Sequence, residues 1–250
     1  MSCEAKNIGT IKINRLLAMM RSKKYVIYTQ PYKLNIIGIR NAKTEPNKFD
    51  DEIFVIWKDD KKKWNGKRYA ATTDPSTVYL KKGGYNNSTS GTAILPQGQY
   101  LNKWTIRGHG KTGYKALGQG QSGEDTKLCV YRDYDRNSTL DFNIDDKKCG
   151  HFGINIHRAK KGAADDGKGN TKTIGLYSAG CQVFQNYYCF LEFMEMAEKQ
   201  KSLYGNSFSY TLFDLSLKRK FIIKRTLYTS LVIGSLALIG YGVYLKNKNK

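Results

Sequence analysis

Between residues 33 and 158 the sequence repeatedly builds a short run of β-branched and aromatic residues and then breaks it. The runs are KLNIIGIRN (33–41), EIFVIWK (52–58), KRYAATT (67–73), GTAIL (91–95), KLCVYRD (127–133) and HFGINIHR (151–158). Runs of this length are too short for helices and carry the residues that suit a pleated, half-buried surface. Gly, Asn and Asp clusters such as KKGGYNNSTSG (81–91) supply the turns between them. One helix is predicted over NYYCFLEFMEMAEKQKSLYG (186–205), with Tyr188, Leu191, Phe193, Met194 and Ala197 on its apolar side. SFSYTLFDL (207–215) reads as a last strand, and INRLLAMMRSKKY (13–25) as a short amphipathic helix that packs on the domain. No internal repeat is present. The predicted class is mainly β, of the α+β type.

The ends differ from the middle. Residues 227–245 carry no charge over nineteen positions, enough for a helix of roughly 28 Å, close to the hydrocarbon thickness of a bilayer. Tyr228, Tyr241 and Tyr244 lie towards its ends, where amphipathic rings favour the interface, and lysines flank both sides. A single C-terminal transmembrane helix is therefore expected. The predicted organisation is an N-terminal amphipathic helix and arm (1–31), a main domain (32–215), a basic linker (216–226), the span (227–245) and a basic tail (246–250). The N-terminus has no uninterrupted apolar core, so no signal peptide is expected. Basic residues on both sides of the span weakly place the main domain on the cytoplasmic side.

The net charge of +21, carried mostly by Lys, suits a soluble surface or contact with a polyanion such as an envelope polymer or lipid headgroups. Nucleic acid is not the favoured partner, because no helix-turn-helix, zinc-finger or RNP pattern occurs. The five cysteines are scattered, odd in number and without a CxxC pair. They are expected to form neither a disulfide framework nor a zinc site.

The chemistry concentrates in GINIHRAKKGAADDGKGNTKTIGLYSAGCQVF (153–184). A thiol attacks as thiolate, so it needs a nearby base, and the oxyanion it creates needs N–H donors. Ser178-Ala179-Gly180-Cys181 keeps the sulfur accessible and permits a tight turn. The alternation Ile154-Asn155-Ile156-His157 puts Asn155 and His157 on one face of a strand and the two isoleucines on the other. A His beside Cys181 is expected to lower the thiol's pKa and make it the fastest-alkylated cysteine.

INIHRA followed by YSAGCQVF resembles the L,D-transpeptidase (YkuD-type) catalytic domain, whose signature is a His ending a strand, a spacer and Ser/Thr-x-Gly-Cys. GTAILPQGQY (91–100) is similar to that family's Pro–Gly segment. The resemblance extends over residues 32–215. It implies a β-sandwich with a helix after the catalytic Cys. It also implies acyl transfer on peptidoglycan stem peptides by transpeptidation or hydrolysis, with no cofactor. Carried over, Cys181 is the nucleophile and His157 the base. Ser178 holds the turn, Gly180 and Cys181 supply oxyanion N–H groups, and Gln182, in the polar position after the Cys, is a candidate substrate contact. Arg158, Asn155 and His109 are further candidate contacts from their places in the sequence, with a surface loop the favoured reading of His109. Three features depart from the pattern: a long hydrophilic spacer, Arg158 after the His where Gly is usual, and Ala179 before Gly180.

RDYDRNSTLDFN (132–143) sets Asp133, Asp135, Asn137 and Asp141 at alternating positions, like the start of a calcium loop. Ser138 stands at the central Gly position and Ile144 at position twelve, so a polar hairpin turn is the favoured reading. Cys149 and His151 lack the second pair that a metal site requires. The expected localisation is a bacterial cell membrane or the membrane of a virion. The alternative function is a virion-associated module that binds or degrades the cell wall during infection or lysis. Nothing in the sequence points to an oligomeric state.

Overall fold

The computed structural model describes residue 3 and residues 5–84, 91–142 and 146–216. Among the described residues the apolar runs condense into twelve strands. The first six are β1 (Lys6–Asn7), β2 (Asn35–Arg40), β3 (Asp51–Lys58), β4 (Trp64–Thr72), β5 (Thr92–Ile94) and β6 (Gly98–His109). The rest are β7 (Tyr114–Gln119), β8 (Leu128–Asp133), β9 (Lys147–Gly150), β10 (Ile156–Arg158), β11 (Gln182–Phe184) and β12 (Phe208–Asp214). The helices are α1 (Thr10–Ser22), α2 (Thr77–Leu80) and α3 (Tyr187–Tyr204). Strand outweighs helix, 36% to 21%, so the mainly β class holds.

Eight strands close a barrel in the order β4-β11-β10-β7-β6-β12-β2-β3, and β3 pairs back onto β4. This corrects the expected sandwich. Pairing of β3 with β4 runs from Asp51↔Ala71 to Lys58↔Trp64 and leaves no edge between them. A separate sheet has the order β5-β8-β9. The hairpin of β6 and β7 was not among the predicted runs, because polar and charged residues interrupt it; only Trp104 and Ile106 of β6 turn inward to buried positions.

The larger core cluster draws side chains from every strand of the barrel and from α3. Asn186 caps α3 by accepting the Tyr188 and Cys189 N–H groups, so the helix starts directly after β11. Phe190 and Phe193 then meet Phe184, the Phe193 ring at 4.9 Å. Leu191, expected on the apolar face, is exposed. On the other face of β2, β3 and β12, α1 buries Ile13, Leu16, Leu17 and Met20 against Ile37, Phe54, Ile56 and Phe213. Each such side chain contributes roughly 1.5–3 kcal/mol before entropy is counted. β1 also pairs with β4, so both α1 and β1 lie against the barrel.

The cysteine expectation is also corrected. Cys3 bonds to Cys189 and Cys129 to Cys149, leaving Cys181 free. Spacing along the chain gave no sign of this. Cys129 and Cys149 face each other only in the register of β8 with β9, and Cys3 meets the first turn of α3 only through tertiary packing. Among the described residues no helix is long and apolar enough to cross a membrane. The predicted span at 227–245, its tail and the linker from residue 217 lie outside the described residues.

Candidate active site

The site is set by two adjacent parallel strands. β10 and β11 pair as Ile156↔Gln182 and His157↔Val183. Cys181 therefore lies beside Asn155, and His157 lies two residues further on the neighbouring strand, on the same face. Strand spacings put the two Cα atoms roughly 8 Å apart. Ile154 and Ile156 are buried in the core, and the Trp104 indole N–H donates to the Ile154 carbonyl at 2.7 Å. The polar face of this segment is thus held from behind by the barrel.

His157 Nδ1 lies 2.8 Å from the Arg158 carbonyl and 3.3 Å from the Tyr114 hydroxyl. A carbonyl only accepts, so Nδ1 carries the proton and Nε2 keeps its lone pair, the state a general base requires. The His109 ring stacks on His157, with centroids 4.2 Å apart. Asn155 Oδ1 accepts the Gln119 N–H at 2.9 Å, which turns its Nδ2 towards His109 Nδ1 at 3.2 Å. His109 therefore accepts at Nδ1 and carries its own proton on Nε2.

Ser178 holds the turn that carries Cys181. Its hydroxyl lies 2.8 Å from the Asp74 carbonyl and 2.9 Å from the Cys181 carbonyl, and it accepts the Gly180 N–H at 3.2 Å. Gly180 has φ +117°, and a Cβ there would lie 2.2 Å from the Ala93 carbonyl oxygen, so only glycine fits. Asp74 is anchored in turn by the fully buried Arg40, which pairs with it at 2.6 Å and with Asp214 at 2.8 Å. Burial disfavours the Arg40 charge, but Asp74 and Asp214 more than offset this and raise its pKa.

Three sequence expectations change here. Gly180 gives its N–H to Ser178, so of the expected oxyanion pair only the Cys181 N–H is left without an acceptor among the described residues. Gln182 is fully buried; its amide donates to the Gly180 carbonyl and accepts from the Tyr210 hydroxyl, which removes it from substrate contact. Asn155 is almost buried and orients His109. Arg158 remains available. It lies over the Tyr114 ring at 4.0 Å and lines a groove of about 700 Å³ with Tyr114, Lys161, Tyr187, Phe190 and Met194. The groove does not include Cys181 or His157. Tyr114 links the two, its ring on the groove and its hydroxyl at His157.

Tyr114 was missed in the sequence. Its signal was the β6–β7 hairpin turn, Gly110 to Gly113, which places His109 opposite Tyr114.

At rest the pair is neutral. Burial, with the neighbouring His109 and Arg158, pushes His157 down to about 3, although the Arg158 carbonyl opposes this. Burial pushes the Cys181 thiol up to about 11 against the Asn155 N–H, 3.4 Å from Sγ. The thiol itself donates to the Gly153 carbonyl at 3.4 Å. Burial thus works against the lowered thiol pKa expected from a neighbouring His, because desolvation disfavours separated charges.

The acidic loop lies apart from this constellation. Oxygens of Asp133, Asp135 and Asp141 lie within 4.8 Å of one another. Burial, with Asp141 and Asp135 nearby, pushes Asp133 up to about 6. Asn137 is engaged within the turn, donating to Asp135 and accepting the Thr139 N–H. His151 is bound to Thr126 and the Gly123 carbonyl.

The chain matches no protein-family model, no curated protein and no solved structure.

Proposed function

We propose that this protein is a cysteine acyltransferase or peptidase of the L,D-transpeptidase type, acting on peptidoglycan stem peptides and anchored to a membrane through residues 227–245. The observation that carries the reading is the parallel β10–β11 pair, with Cys181 and His157 on one face and His157 Nδ1 tied to a backbone carbonyl. His157 Nε2 takes the thiol proton as Sγ bonds to the carbonyl carbon. The Cys181 N–H faces the oxyanion. The C–N bond then breaks, the proton passes to the leaving nitrogen, and a D-amino acid departs. An amine or water opens the thioester, and the outcome depends on which of them the site orders. Proton transfer within the pair replaces a standing thiolate, which suits two groups that are both neutral at rest. The groove beside Tyr114 and Arg158 has the size and mixed lining of a ligand cleft, and Arg158 there suits a carboxylate of the stem.

The two disulfides favour a domain that works in an oxidising compartment, the side on which peptidoglycan lies. They weigh against the weak cytoplasmic placement from flanking charge. They suit release at lysis, or carriage on a virion membrane, equally well.

The test is intact-mass analysis of the full chain in detergent after incubation with purified tetrapeptide muropeptides. The expected result is a thioester adduct on Cys181 with loss of one D-amino acid, and none in Cys181→Ala. Product formed at the wild-type rate by Cys181→Ala rejects the mechanism.

A further inference from the structure

The loop after β8, Asp133-Tyr134-Asp135-Arg136-Asn137-Ser138-Thr139-Leu140-Asp141, has no part in the chemistry above. It gathers three carboxylates whose oxygens lie within 4.8 Å of one another. Exposed acidic clusters are common, and by themselves they signify nothing. Here one member is different. Asp133 is only 1% exposed. Its Oδ2 accepts the Asp141 N–H at 3.2 Å, but its Oδ1 is buried and has no hydrogen-bond partner. Buried polar atoms are almost always paired, and a buried carboxylate oxygen without a donor is costly. Two further carboxylates converging on it make that cost larger, unless a positive charge sits between them.

The loop is held in shape around this point. Ser138 has φ +71°, the left-handed conformation that a twelve-residue calcium loop usually gives to glycine. The Ser138 N–H donates to the Leu80 carbonyl at 3.0 Å, and the Lys82 N–H to the Arg136 carbonyl at 3.1 Å. The three acidic side chains are thus gathered on a backbone fixed from outside the loop.

We infer that this loop binds a hard divalent cation, Ca²⁺, through oxygens of Asp133, Asp135 and Asp141. Oxygens on opposite sides of Ca²⁺ lie about 4.6–5.2 Å apart, twice the metal–oxygen distance. The three carboxylate oxygens lie within 4.8 Å of one another, close enough to surround one such ion. An irregular all-oxygen set of this kind suits the flexible coordination of Ca²⁺ better than the strict octahedron of Mg²⁺. Ile144 stands where such a loop normally supplies a bidentate Glu, so affinity falls in the weak range of extracellular modules, about 10⁻⁴–10⁻³ M.

The experiment uses the full chain in detergent, stripped with a chelator and dialysed. Ca²⁺ or Mg²⁺ is then titrated by calorimetry in about 0.15 M salt, with thermal unfolding followed in parallel. One saturable Ca²⁺ site that raises Tm is expected, with Mg²⁺ at least about tenfold weaker. Asp135→Asn, at an exposed position, should weaken Ca²⁺ by about tenfold or more, and Asp133→Asn should abolish binding. Asp135→Asn keeps the test decisive if Asp133→Asn does not fold. Three results overturn the assignment: no saturable heat up to about 10 mM Ca²⁺, Mg²⁺ binding as tight as Ca²⁺, or affinity changed less than about threefold by Asp135→Asn.

Discussion

The turn at Cys181 and the loop at Asp133 are reached by the same short strand and are built in opposite ways. In β5, Thr92 pairs with Asp133, and the carbonyl of the next residue, Ala93, closes against Gly180. On the Cys181 side the polar groups are mutually engaged: Ser178 with Asp74, Gly180 and Cys181, His157 with Arg158, and Asn155 with Gln119 and His109. On the Asp133 side a buried oxygen faces no donor. Acid–base chemistry requires the tautomer and direction of the base to be settled before substrate arrives, so its partners are permanent. A cation site requires at least one acceptor that no N–H has taken, and Asp133 Oδ1 is such an atom, although both Asp135 oxygens accept from Asn137. The two clusters thus differ in which polar atoms are engaged, and the difference suits the role proposed for each.

The largest expected effect tests the engaged side. Cys181→Ala and His157→Ala should each lower acyl transfer by roughly 10³-fold or more, and the double variant should be no worse, because the two act as a unit. Additive losses in muropeptide turnover would mean that they act separately. Next is Gly180→Ala, which drives a methyl into the Ala93 carbonyl oxygen and strains φ. It should cost roughly 2–4 kcal/mol in denaturant unfolding, whereas Ser138→Gly in the acidic loop should change stability by less than about 1 kcal/mol. A tolerated Gly180→Ala would show that the turn at Cys181 is looser than its hydrogen bonds imply.

Removing Cys129–Cys149, with a sequence separation of 20, should cost about 3 kcal/mol. The same double Ser variant should leave turnover intact. A thiol count on unreduced, unfolded wild-type chain should return one free cysteine; five would rule out both bridges.

The pH dependence sharpens the contrast further. An unfolded His titrates near 6.5, and His157 in place is pushed down to about 3. Between those values the unfolded chain binds more protons, so stability from this group is complete above about pH 6.5 and is lost as pH falls towards 3. His157→Gln should flatten that limb of a stability–pH curve by a few kcal/mol. The smallest effect is on alkylation. With its thiol pushed up to about 11, Cys181 should react with iodoacetamide at neutral pH no faster than an ordinary thiol. Rapid alkylation of Cys181 would instead reveal a resting ion pair.

Much of the barrel was legible because its strands carry their burial in the pattern. β2 and β3 carry continuous apolar stretches, β12 alternates Phe208, Tyr210 and Leu212 with Ser209 and Thr211, and α1 shows its stripe at Ile13, Leu16, Leu17 and Met20. Cys181, His157 and Ser178 were legible because each has a local reason for its position, a turn or a strand end. Gln182 and the Gly180 N–H were misassigned because their partners, Tyr210 and the Ser178 hydroxyl, depend on how the chain folds over itself. His109 was weighed as a loop residue, yet it ends β6 and stacks on His157.

By itself the sequence determined the mainly β character, the helix after Cys181 and the choice of Cys181 and His157 as candidate site residues. These follow from side-chain period and from backbone demands within a few residues. Only the tertiary structure decided that the sheet closes, that four cysteines pair, that the resting pair is neutral and that Asp133 is buried with an oxygen unmatched. Closure, disulfides and desolvation each depend on residues far apart in the chain arriving together. No local pattern records the dielectric or the neighbours that a side chain meets there.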